Sequence, residues 1–171
     1  MAKISAKNKI DFFVKELSAR KPSPGGGAAA ALAGALGAAL VVKVANFTIG
    51  KKKYKRYEKE AKLIAKKAEV LRNKLCAYIE KDAKAYNQYA RTKSGASMMK
   101  ASDCVAEISK LSRQGFKFCV RLKKIGNVNL RGDIYVARLL LSSSEKAAGN
   151  LIKLKKKGWV WEPGFEDNKS S

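Results

Sequence analysis

The chain has 171 residues, 46% apolar and 30% charged, enough for one domain with a real core and too apolar for a disordered protein. Its 37 Lys and Arg against 14 Asp and Glu give a net charge of +23, a field that draws polyanions such as nucleic acid, anionic lipid or a ligand with several carboxylates or phosphates. Histidine is absent, which removes the commonest general base and metal ligand together. Cys76, Cys104 and Cys119 form no C-x-x-C pair and read as reduced thiols of a cytosolic protein.

Residues 8–19 place Ile10, Phe13, Val14 and Leu17 at helical spacing, with Lys and Glu opposite, which predicts a short amphipathic helix. The prolines and glycines of "KPSPGGG" stop it. From Gly25 to Val42 no side chain is charged. A secretion signal is a poor reading, because Asp11 and Glu16 precede the run and there is no compact cationic start. A membrane span is a marginal one, since the run sits at the lower length limit and is mostly Ala and Gly. The expectation is a soluble, cytoplasmic protein. A helix is expected from about Ala28 through Val44 or a little further, with small residues every four positions (Ala30, Gly34, Ala38; Ala31, Ala35, Ala39). Such spacing lets another backbone approach closely, as in the central helix of a bundle or a face against a second subunit.

After the basic break at 50–56 comes the longest periodic segment, about Tyr54 to Arg91. Tyr57, Ala61, Ile64, Ala68, Leu71, Leu75 and Tyr78 step by four and three along one seam. One further step lands on Asp82, with Tyr86 or Tyr89 following. A carboxylate in the register of a core stripe needs a partner, a network, a shifted pKa or a ligand. A fourth helix, about Ser97 to Lys124, turns Val105, Ile108, Leu111, Cys119 and Leu122 inward, and the turn "GNVNLRGD" (126–133) leads into a last helix, about Leu130 to Lys155, with Ile134, Ala137, Leu141, Ala148 and Leu151 inward. No segment alternates like a strand. The predicted fold is all-α, an up-and-down bundle of about five helices, with residues 1–158 as one domain and 159–171 as an aromatic and acidic tail.

Several residues stand out chemically. A glycine-rich corner at Gly25, Gly26 and Gly27 feeding a helix offers free backbone N–H groups to an anion or a polar ring edge, or equally a tight corner beside a neighbour. Asn127 offers amide groups in a turn. Asp133 lies where a helix-capping acid would, and Asn150 is polar in small company.

The stretches 24–54, 79–89 and 126–154 together resemble the cyclodeaminase domain of formiminotransferase-cyclodeaminase and its stand-alone relatives, the methenyltetrahydrofolate cyclohydrolases. The likeness runs over roughly residues 8–155. It implies an all-helical homodimer whose substrate is a tetrahydrofolate derivative, with no metal. The implied reaction is hydrolysis of 5,10-methenyltetrahydrofolate to 10-formyltetrahydrofolate, or deamination of 5-formiminotetrahydrofolate. It further implies that Gly25, Gly26, Gly27, Asp82, Asn127, Asp133 and Asn150 line the folate pocket, with Asp82 as proton acceptor or electrostatic stabiliser. The family pattern differs at Ala28, Gly132 and Leu154, where polar residues are usual. Lys51, Lys52, Lys53 and Lys55 offer a landing strip for the glutamate tail of cellular folates. Two other readings stay beside this one. One is a binding protein on the same fold with reduced catalysis, holding a folate or another polyanion. The other is a basic helical protein that binds nucleic acid, which is less favoured because no helix-turn-helix or zinc signature appears. No membrane association is expected.

Overall fold

The computed structural model describes residues 9–156. Among them are five α-helices and two short 3-10 turns, with no strand: α1 (Lys9–Ser18), α2 (Gly26–Thr48), α3 (Glu58–Thr92), α4 (Gly95–Ile125) and α5 (Arg131–Lys156), with the 3-10 turns at Lys52–Tyr57 and Val128–Leu130. The all-α expectation holds, and the helix ends fall within a few residues of those read from periodicity. Residues 1–8 and the tail at 159–171 lie outside the described residues.

Each boundary has a local cause. Ser94 caps α4, its Oγ accepting the Ser97 N–H. Lys93, with φ 50°, closes α3 in the left-handed region. The start of α2 departs from expectation, because Gly26 and Gly27 lie inside the helix and not in the loop before it. Glycine is a poor helix former, so a tertiary contact must favour it there; the contact is described below.

Helix α2 is the axis of the bundle. It packs against α3, α4 and α5, while α4 also packs against both α3 and α5. By length and composition α2 could span a bilayer, yet 56% of its most apolar window is buried inside the bundle. Its small residues serve close packing. A Cβ on Gly37 would lie 2.7 Å from Leu141 Cγ and 3.1 Å from the Ala137 carbonyl oxygen, so α5 crosses α2 nearly backbone to backbone. At Gly34 an added Cβ would meet Ser112 Oγ and Ser144 Oγ, each at 2.8 Å. Those hydroxyls form a buried chain. Ser144 Oγ donates to the Ala30 carbonyl at 2.7 Å, so Ser112 Oγ is the donor in its own 2.7 Å contact with Ser144 Oγ. Three helices are thereby joined through one polar thread.

The seam of α3 follows the predicted register: Ala61, Ile64, Ala68, Leu71 and Leu75 are buried in the core, and Asp82 is buried at its continuation. Aliphatic side chains from α2, α4 and α5 complete two contiguous core clusters. Burial of such side chains is worth roughly 1.5–3 kcal/mol each, which is the main force holding the bundle.

Candidate functional site

The glycine corner, the end of α3 and the end of α5 converge on one cavity of about 150 Å³. Pro22 and Gly25–Gly27 form one side, Asp82, Tyr86 and Tyr89 of α3 another, and Met98, Ala101 and Val105 of α4 with Leu151 and Leu154 of α5 the remainder. Ser23 Oγ donates to Asn87 Oδ1 at 2.9 Å, which ties the loop before α2 to α3 and holds this side in place.

Asp82 is 8% exposed, and its carboxyl group occupies the space that a side chain at position 27 would need. A Cβ on Gly27 would come within 2.5 Å of Asp82 Cγ. This is why glycine enters the helix there: the carboxylate lies flush against the first turn of α2. Gly25, the N-cap, has no side chain to satisfy the first-turn N–H groups, and the positive end of a helix dipole favours a carboxylate at that spot. Burial of the charge, otherwise very unfavourable, is thereby offset. The rest of the cavity is mostly apolar, with Tyr86 and Tyr89 stacked edge to face, ring centroids 6.4 Å apart. Burial, with Tyr89 adding to it, raises the Tyr86 hydroxyl above its ordinary pKa, so it stays a neutral hydrogen-bonding group at physiological pH. A flat ring with a few polar edges suits such a slot: apolar walls, one buried acid and a helix N-terminus.

The other residues singled out in the sequence sit elsewhere. Asn127 lies at the far end of α2. Its backbone N–H donates to Thr48 Oγ1 at 3.0 Å, and its Nδ2 donates to the Phe47 carbonyl at 3.1 Å. Its Oδ1 accepts the Asn129 N–H at 3.1 Å. The side chain thus fastens the turn after α4 onto the last turn of α2. Tyr54 helps, its hydroxyl accepting the Val128 N–H at 3.0 Å. Asp133 pairs with Lys43 at 3.0 Å. Lys51, Lys52 and Lys53 line a separate shallow cleft with Asn127, while Lys55 does not line it. Helix α2 has 23 residues, so about 33 Å separates its two ends at 1.5 Å per residue. Within the chain the sequence-predicted set, Asn150 aside, therefore divides in two. Gly25, Gly26, Gly27 and Asp82 stand together at one end; Asn127, Asp133 and the lysines stand at the other.

Asn150 is exposed on the outer surface of α5 and does not line the cavity; its neighbours Leu151 and Leu154 do. Of the positions that differ from the family pattern, Leu154 lines the Asp82 cavity, Ala28 is fully buried in the core, and Gly132 lies on the surface at the far end. Pro22, Met98 and Ala101 were not foreseen as lining residues. Pro22 carried only the signal of a loop, and the first turn of α4 carried none. Among the described residues no three His, Cys, Asp or Glu side chains gather as a metal site.

Comparison with known proteins agrees with this geometry. The family model described as formiminotransferase-cyclodeaminase matches residues 9–154. The chain is 32% identical over 165 residues to the methenyltetrahydrofolate cyclohydrolase of Methylorubrum extorquens, covering 87% of this chain and 79% of that one. The crystal structure of formiminotetrahydrofolate cyclodeaminase from Thermotoga maritima superposes with a TM-score of 0.84 at 26% identity, over 89% of this chain and 80% of that one. With the bundle, the buried acid and the glycine corner all in place, the chain belongs to the formiminotransferase-cyclodeaminase family.

Proposed function

We propose that this protein is a folate-dependent one-carbon enzyme that hydrolyses 5,10-methenyltetrahydrofolate to 10-formyltetrahydrofolate in the cytoplasm. The observation that carries the reading is Asp82, a carboxyl group buried at the floor of an apolar cavity against the first turn of α2. The 32% identity to a methenyltetrahydrofolate cyclohydrolase supports this reaction.

The bridging carbon of the methenyl group is already cationic and electrophilic. Water adds to it and Asp82 accepts the first proton lost from that water. As the remaining hydroxyl becomes the formyl C=O, its proton passes to N5 and the bond from carbon to N5 breaks, leaving the formyl group on N10. N5 leaves as a neutral amine, so one proton is released per turnover. Nothing here requires histidine: a carboxylate placed beside the attacking water supplies general-base help, typically 10²–10⁴-fold, and its charge favours the cationic ring on binding. Tyr86 and Tyr89 offer rings on which the pterin can lie. The same acid could serve the related ring closure, in which 5-formiminotetrahydrofolate loses ammonia, and the structural likeness to a cyclodeaminase favours keeping that second reading.

A homodimer would reunite the two halves of the family motif. The outer face of α2 presents Ala29, Ala33, Leu36, Leu40 and Phe47 at helical spacing, and α5 alongside presents Val136, Leu139, Ser143 and Ala147. Leu36, Phe47, Val136 and Leu139 are each about half exposed, between 46% and 53%. Lys43, paired with Asp133, is the charged side chain of the α2 stripe, and a largely apolar face of this extent marks a protein contact. A twofold axis across the middle of α2 would set each Asp82 cavity beside the partner's Lys51–Lys53 cleft, where a polyglutamate tail would meet positive charge.

Two measurements test the proposal. Purified protein should remove the near-ultraviolet absorbance of 5,10-methenyltetrahydrofolate faster than buffer does; an equal rate refutes the assigned reaction. Sedimentation should give a dimer for the wild type and a folded, inactive monomer for Leu36→Glu combined with Leu139→Glu. A fully active monomer would refute the composite site.

A further inference from the structure

A second cleft, of about 680 Å³, opens between the last turn of α4 and the first turns of α5, at the end of the bundle remote from Asp82. Lys123, Arg131 and Arg138 all line it, and no carboxylate among the described residues does. Asp133, the acid nearest in sequence, is engaged with Lys43. Arg72, Arg113 and Arg121 each hold a glutamate, at 3.1, 2.7 and 2.7 Å respectively. Among the described residues Lys123, Arg131 and Arg138 form no ion pair.

Arg138 is also fixed in place. Its guanidinium lies over the Phe116 ring, 5.6 Å from the centroid, and its Nε is buried with no hydrogen-bond partner. The fork is therefore held from below, and its remaining hydrogen-bonding capacity lies at the terminal nitrogens. A guanidinium so anchored has already lost the rotamer freedom that anion binding would otherwise cost. Three cations without counter-charge repel one another, and a bound anion relieves that repulsion. Phosphate matches the planar donor geometry of arginine. Leu122, Ile134 and the ring of Tyr135 supply an apolar wall beside the cations, and the volume falls in the range of small-molecule sites.

We propose that this cleft binds a phosphate-bearing small molecule, with Arg131, Arg138 and Lys123 on the phosphate and Leu122, Ile134 and Tyr135 against its organic body. Within one chain the site lies at the opposite end of the bundle from the Asp82 cavity, and its phosphate binding is measured without folate.

Calorimetric titration of the full chain with inorganic pyrophosphate and with ADP tests it. The expected result is saturable one-site binding to each, weakened at least tenfold by Arg131→Gln and by Arg138→Met, and unchanged by Lys117→Gln, an exposed lysine of α4 outside the cleft. Should Arg138→Met fail to fold, Arg131→Gln and Lys123→Gln, both at exposed positions, carry the comparison. Absence of saturation, or equal weakening by Lys117→Gln, would overturn the proposal in favour of diffuse surface charge. Competition by tri-γ-glutamate as strong as that by pyrophosphate would also overturn it, by assigning the cleft to a folate tail.

Discussion

Replacing Gly27 with alanine isolates the contact on which the Asp82 cavity is built. The added methyl would lie 2.5 Å from Asp82 Cγ, whereas carbon atoms rest at about 3.5 Å or more. The carboxyl group must therefore retreat by roughly 1 Å. Overpacking of this kind costs about 1–3 kcal/mol, and alanine returns about 0.5–1 kcal/mol of helix propensity in α2. The net loss of stability should be about 0–2.5 kcal/mol, read by urea titration. The catalytic effect should be larger, since displacement of a reacting group by about 1 Å can cost about 10²-fold. Gly26→Ala is the matched control: its methyl would meet Leu151 at 3.8 Å, an ordinary contact, so stability and turnover should stay near wild type. Equal turnover of methenyltetrahydrofolate by the Gly27→Ala and Gly26→Ala proteins would refute the placement of Asp82 as the reacting group.

Ser144→Ala removes the middle of the buried hydroxyl chain and leaves Ser112 Oγ without its acceptor, so denaturant unfolding should show a loss of about 1–3 kcal/mol. The Glu60 carboxyl is held below its ordinary pKa, first by the hydrogen bond from Arg121. A depressed acid contributes stability that is present above its unfolded pKa and lost as pH falls through the folded value. The pair is largely exposed, so Glu60→Gln should lower stability by no more than ~1 kcal/mol at pH 7. The difference from wild type should start to shrink as pH falls through the ordinary glutamate range and vanish once the folded carboxyl is protonated. An unchanged difference there would remove the ion pair as its cause. Burial pushes the Cys119 thiol up to about 12, while Cys76 is exposed. A thiol reagent at pH 8 should label Cys76 in the native protein and reach Cys119 only on unfolding.

Much of the fold was legible in the sequence because apolar spacing alone sets which face of each helix turns inward. The α3 seam even located Asp82, since a carboxylate in a core register needs a partner, a network or a ligand. The start of α2 was not legible, because glycine at 26 and 27 argues for a loop until the carboxylate against Gly27 is seen. Nor could spacing show that Asn127, Asp133 and Lys51–Lys53 lie toward the opposite end of α2, a helix about 33 Å long, from Asp82. A motif states which residues occur, and a helix of 23 residues sets how far apart they lie. Ser112 and Ser144 gave no signal either, being two serines among many until Gly34 brings them to Ala30.

The catalytic role proposed for Asp82 is tested most directly by single-turnover hydrolysis of 5,10-methenyltetrahydrofolate with wild type and Asp82→Asn. The amide keeps the shape of the acid and removes its charge and basicity. Hydrolysis should slow by at least ~10²-fold, with helical content and substrate-induced stabilisation retained. An Asp82→Asn protein that hydrolyses the substrate at the wild-type rate would contradict the role given to this residue.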